Sequence, residues 1–144
     1  MSFHDAKHTF YTYLIVSSAL SAHNYTFFFK ELIYITITKV SKRWGGKFSA
    51  QHTANWKNAI REHKRKGYCV VHLTVYGLPL QQRVRAVRKQ EKLLVVIGGE
   101  KVPGEVYQLA DDNLAVTSQP HSEAAALAVF LHDYFKGEEL DKKF

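Results

Sequence analysis

Hydrophobic and polar positions change period several times along the chain, and each change marks an element. Between 55 and 66, Trp56, Ala59, Ile60 and His63 recur at helical spacing, with Asn55 a suitable N-cap and Gly67 a suitable stop. A helix is predicted there. Residues 68–75 follow as an apolar run of strand length, broken by Tyr76-Gly77-Leu78-Pro79. A helix over 81–90, a buried strand over 92–97 ended by Gly98-Gly99, a short helix after Pro103, a strand over 113–116 and a last helix over 121–135 complete that half.

The first third is less regular. Residues 9–29 carry no formal charge, and 10–20 have the length of a signal-peptide core, but Thr12, Ser17 and Ser18 dilute the apolar content and Asp5 precedes it. The segment predicts an amphipathic helix to about Ala22 and not a leader or a membrane span. A short aromatic strand over 25–29 follows. Residues 30–44 predict a helix ending at Gly45-Gly46, although Ile33, Ile35, Thr36 and Ile37 are β-branched, and 47–52 predict a short strand. Helices alternating with strands at this spacing predict an α/β fold with a mainly parallel sheet flanked by helices.

With 144 residues and an ordinary apolar content of 46%, the chain predicts one domain with one core. The formal charge of +7 is unevenly spread: residues 54–92 hold ten basic and two acidic side chains, whereas 93–144 hold four and nine. That places an anionic partner on the middle third. Arg61, Lys64 and Arg65 in one cluster and Arg83, Arg85 and Arg88 in the next are the candidate RNA-backbone contacts, against the alternative of a solvated helix face. The single cysteine, Cys69, excludes an intrachain disulfide framework and agrees with a reducing cytoplasm. No His-x-x-x-His pair has an acidic partner at useful spacing, so no metal is expected.

In parallel sheets ligands gather beyond the carboxyl ends of strands, and three loops qualify. They are residues 72–79, residues 98–103 and residues 116–123, each dense in Gly, Pro and small polar residues. Neither G-x-G-x-x-G nor a phosphate-binding G-x-x-x-x-G-K-[ST] occurs. His121-Ser122-Glu123 is not a hydrolase triad, because neighbours on a helix point apart.

The stretches VVHLTVYGLPL, LLVVIGGEKVPGEVYQLADDNLAV and SQPHSEAAALAVFLHDYF closely resemble the archaeal tRNA cytidine-56 2′-O-methyltransferases of the SPOUT superfamily. The resemblance covers about residues 42–144, including KRWGGKF and NWKNAIREHKRKG. It implies a single SPOUT domain over 1–144, with a trefoil knot and the cofactor region in 68–144. It also implies S-adenosylmethionine as cofactor, a homodimer and a tRNA substrate. By position it assigns cofactor contacts to Leu73, to Gly98, Gly99, Glu100, Lys101 and Val102, and to Val116, Thr117, Ser118, Gln119, Pro120, His121, Ser122 and Glu123.

Residues 1–41 diverge from that family. Family members open with a strand absent here, then a helix bearing R-x-x-T-H, whose arginine is the usual candidate for activating the ribose hydroxyl. Lys7 or His8 stands at its place, so Lys7 is one candidate catalytic group and Ser122, at a helix start, the other. The two functional readings are an active ribose methyltransferase and a tRNA-binding SPOUT protein without turnover. The last helix carries Leu127, Val129, Phe130, Leu131 and Phe135 around its circumference, which predicts burial both by its own sheet and by a second copy.

Overall fold

A computed structural model describes residues 12–18, 25–29, 38–40, 42–43, 48–53, 55–98 and 102–141. Six strands form one mixed sheet: β1 (Thr12–Ser18), β2 (Tyr25–Phe29), β3 (Phe48–His52), β4 (Cys69–Pro79), β5 (Lys92–Gly98) and β6 (Asp112–Ala115), in the order β3-β2-β1-β5-β4-β6. The pairs β2–β3, β4–β5 and β4–β6 are parallel, and β1 runs antiparallel to both β2 and β5. Four helices accompany them: α1 (Trp56–Arg65), α2 (Leu80–Val87), α3 (Gly104–Leu109) and α4 (Glu123–Phe135), with a final 3-10 turn at Glu138–Asp141. The expected mainly parallel α/β architecture is the one observed.

The helix expected up to Ala22 is corrected. Residues 12–18 form a strand, each paired with one of residues 92–98. Thr, Tyr, Ile and Val suit a pleated surface, and β5, apolar on both faces, has an edge that only another strand can satisfy. Long-range pairing therefore outweighs the local pattern. Of the helix expected over 30–44, residues 38–40 and 42–43 are helical, and the rest lies outside the described residues.

The sheet divides two cores. On one face Val71, Leu73, Leu93, Val95, Ile97 and Leu114 pack against Leu80, Val84 and Val87 of α2 and Ala126, Phe130 and Tyr134 of α4. On the other, Val70, Leu94 and Val96 meet Ile60 of α1 and Val106 of α3. Period-two alternation along β4 and β5 sends neighbours to opposite cores, which is why both strands read as continuous apolar runs.

α1 is bounded as its sequence predicts. Asn55 Oδ1 accepts from the Asn58 amide at 3.1 Å, and Gly67 takes a φ of +83° just past the last turn. α4 ends on Lys136 in the left-handed region with Gly137 behind it at φ +80°, and the Gly137 amide reaches the His132 carbonyl at 3.0 Å. Arg88 closes that end from α2: its Nε donates to the carbonyls of Asp133 at 3.0 Å and Tyr134 at 3.2 Å, placing a cation at the negative pole of α4.

Candidate functional site at the carboxyl ends of three parallel strands

After β4 the chain enters α2 on one face of the sheet, after β5 it enters α3 on the other, and after β6 it returns to the first face in α4. Adjacent parallel strands whose continuations leave on opposite faces open a crevice between their carboxyl ends. The last aligned row across the three strands is Ile97, Leu73, Leu114. All three candidate loops begin at that row.

Beyond it β4 does what its Gly-Pro punctuation does not predict. The expected break at 76–79 is corrected: the strand continues to Pro79, and its register against β6 jumps so that Leu73 and Leu78 both face Leu114. Residues 74–77 form an excursion between two stretches of one pairing. Gly77 makes the return possible, because a Cβ there would lie 2.6 Å from the Asn113 and Leu114 backbone. The excursion carries Tyr76, 85% exposed, and is followed by Leu78 at 54%.

Beneath it lies a polar group that sequence reasoning left unassigned. His72 is fully buried on the α1 and α3 face of β4, where alternation also places Val70 and Thr74. Asn113 Nδ2 donates to the Tyr107 carbonyl at 3.1 Å, which turns its oxygen toward His72. His72 Nδ1 therefore carries the hydrogen and donates to Asn113 Oδ1 at 2.8 Å, leaving Nε2 as a buried acceptor with no partner. The Tyr107 ring stands edge-on to the imidazole at 4.7 Å, and its hydroxyl lies 2.9 Å from Thr74 Oγ1. Burial holds the His72 pKa below its ordinary value, against the opposing effect of the Asn113 hydrogen bond. The signal available beforehand was a histidine inside an apolar run, with Asn113 heading a strand.

The third loop is organised by its own side chains. Thr117 Oγ1 accepts from the Gln119 amide at 3.2 Å, and Ser118, Gln119 and Pro120 are exposed. Ser122 is the N-cap of α4, its Oγ accepting from the Ala125 amide at 3.1 Å. His121 Nδ1 donates to the Ser122 carbonyl at 3.1 Å, so its Nε2 is a second buried acceptor without a partner. Val102 and Val116 are half-buried at the edges of opposite cores. Gly98 ends β5; Gly99, Glu100, Lys101 and Lys7 lie outside the described residues.

The basic clusters separate on inspection. α1 and α2 pack on opposite faces of the sheet, so they do not form one surface across it. Lys64 Nζ donates to the Leu109 carbonyl and to Asp111, each at 2.8 Å, while the other oxygen of Asp111 receives the Val70 amide. Arg83 pairs with Asp112 at 2.8 Å, and Arg88 caps α4. Arg61, Arg65 and Arg85 are exposed and hold no ion pair among the described residues. Burial, reinforced by Asp111 and Asp112, pushes the Cys69 thiol up to about 11, so it stays protonated at neutral pH. Among the described residues no cluster of three potential metal ligands occurs, and no helix is long and apolar enough to cross a membrane.

Parallel strands that end on one row, with continuations leaving on opposite faces of the sheet, define an α/β protein. The sequence profile of the tRNA ribose 2′-O-methyltransferase family, aTrm56, matches residues 44–144. The chain belongs to that family. It is 50% identical over 109 residues to the tRNA (cytidine(56)-2′-O)-methyltransferase of Methanocorpusculum labreanum, covering 76% of this chain and 59% of the relative. The enzymes of the same name from Methanopyrus kandleri and Nitrosopumilus maritimus are 46% and 42% identical, covering 79% and 76% of this chain and 64% and 62% of theirs. The chain thus spans about three fifths of the length of these curated relatives.

Proposed function

We propose that the protein methylates a ribose 2′-hydroxyl of tRNA, at cytidine 56, using S-adenosylmethionine held where β4, β5 and β6 end. The observation that carries this reading is the convergence of all three family-matched loops on the row Ile97, Leu73, Leu114. The residues present suit such a cofactor. Val102 and Val116 offer apolar walls for an adenosine, Gly98 and residues 116–120 offer backbone groups, and His121 Nε2 is a buried ring nitrogen without a partner.

When bound, S-adenosylmethionine supplies an electrophilic methyl group on a sulfonium. The chain's task is to hold the ribose oxygen in line with that methyl, keep water away and accept the hydroxyl proton. Ser122 is proposed to orient substrate. Its oxygen caps α4, while its hydroxyl hydrogen remains able to donate. Lys7 remains the proposed stand-in for the family arginine, and Leu73, Gly98 to Val102 and Val116 to Glu123 the proposed cofactor contacts. A single SPOUT domain with a C-terminal trefoil knot and a cytoplasmic setting belong to the same reading.

A homodimer completes the proposal, with one correction to its seam. Phe130 is fully buried in its own subunit, and Leu131 and Phe135 pack against the same core. The apolar stripe left on α4 is Ala125, Ala128 and Val129, the last 46% exposed. Val129, and not Phe130, is the residue on which a charge would test subunit contact.

Methyl transfer from labelled S-adenosylmethionine to unmodified tRNA, with nuclease mapping of the product, tests the reading directly. Label on the ribose of nucleotide 56 is expected. Label on a base, or no label, overturns it, and tRNA binding without label leaves a binding protein without turnover. For RNA contact, reversing Arg61 and Arg65 together is expected to weaken tRNA binding and to lower the salt slope by roughly 0.7 to 0.9 per phosphate lost. Arg85 is proposed to act in the same way. Lys64, Arg83 and Arg88 contribute what their internal partners leave free, so reversing Arg83 or Arg88 is expected to cost stability first.

A further inference from the structure

Tyr107 connects structure that leads to all three loops. It sits on α3, which follows directly from the 98–103 loop; its hydroxyl meets Thr74, the first residue of β4 beyond the last aligned row; and its carbonyl receives the side chain of Asn113 on β6. The circuit closes through His72, whose Nδ1–H is bonded to Asn113 and whose ring lies against that of Tyr107. Thr74 passes the constraint on, because its Oγ1 also accepts from the Tyr76 amide at 3.3 Å. Gly77 fixes the far end of the excursion against the β6 backbone.

We propose that Tyr107 is a positioning residue for the methyl donor: its hydroxyl on Thr74 and its carbonyl on Asn113 hold the 74–77 excursion at one height above the sheet. This rests on the cofactor site proposed above. An excursion of four residues between two pairings of one strand has no ladder bonds to β6 of its own. Its shape is therefore set by its ends and by whatever side chains reach it. Tyr107 reaches it from the one helix that also begins at the second loop, so a displacement of either loop is felt by the other.

The test uses Tyr107→Phe, Thr74→Val, the double variant and Thr74→Ser, each at a temperature where it is folded. Binding of S-adenosylhomocysteine is measured by calorimetry and the melting temperature is recorded alongside. Tyr107→Phe and Thr74→Val are each expected to weaken binding about three- to tenfold, the range one lost hydrogen bond commands. The double variant should be no weaker than Thr74→Val, which removes the shared bond together with the one from the Tyr76 amide, and Thr74→Ser should bind as the unaltered protein does. In turnover, KM for S-adenosylmethionine should rise by the same factor with kcat unchanged. A purely structural role would lower the melting temperature and leave affinity untouched. That result, or additive losses in the double variant, overturns the proposal. If the unaltered protein does not bind S-adenosylhomocysteine, the cofactor reading itself falls.

Discussion

The two faces of the central sheet are built on different terms. Toward α2 and α4 the buried side chains are apolar throughout apart from the Tyr134 hydroxyl, with Phe130 and Leu80 among the largest. Toward α1 and α3 the same strands carry Val70, Leu94 and Val96 but also His72, fully buried and hydrogen-bonded to Asn113. An apolar face is stabilised by area and tolerates any ionic condition; a face with a buried imidazole is stabilised only while the ring is neutral. The polar face leads to the excursion of β4. Apolar packing and the proposed placement of the candidate site are thus divided between the two sides of one sheet.

The contrast is broken most strongly from the apolar side. Phe130→Ala is expected to lose about 3–5 kcal/mol by urea unfolding, through lost transfer energy and the cavity left under α4. That loss should be the same at pH 5.5 and pH 8, since no carboxylate, imidazole or basic group belongs to the core cluster it fills.

On the polar side the expected signature is pH dependence. The His72 pKa is depressed in the folded state, so the unfolded chain binds the proton more readily. Stability is therefore complete above the ordinary value of 6.5 and falls as pH drops below it toward the folded pKa, by at most about 1.4 kcal/mol per pH unit. His72→Asn keeps a donor for Asn113 and removes the titration. Urea midpoints from pH 7 to 5 should fall less steeply in the variant; equal slopes would assign the acid sensitivity elsewhere.

The smallest effects come from the caps, one on each side. Asn55 caps α1 and Ser122 caps α4 through bonds of 3.1 Å each. Replacing either by alanine is expected to cost about 1 kcal/mol. The proposed methyl transfer should survive Asn55→Ala, whereas Ser122→Ala should also lower kcat through the proposed substrate contact; an unchanged kcat would leave that hydroxyl a cap alone.

What could be read from the sequence follows the range of the interactions involved. α1 was legible because Asn55, the Trp56, Ala59, Ile60 stripe and Gly67 lie within thirteen residues and act locally. The ends of β5 and β6 were legible as positions, because Gly and small polar residues following apolar runs are local signals too. β1 was not, since its state is decided by β5, about eighty residues away. Nor was the passage of β4 through Gly77, where a turn signature serves a close backbone approach. The cations show the same limit: Lys64, Arg83 and Arg88 find their partners 47, 29 and 45 residues away, so their charges alone read as free surface. The polar circuit of His72, Asn113 and Tyr107 was hidden for that reason as well.

The double pairing of Leu114 also constrains the order in which the chain can assemble. Leu73 and Leu78 both face Leu114 when β6 is seated, and β6 follows α2, β5 and α3 in the chain. Closing contacts across forty residues of chain carries an entropic cost that local helices do not bear. The crevice between the strand ends is consequently framed only once β6 has docked. A nascent chain released before β6 would lack one of the three strand ends that frame the candidate site.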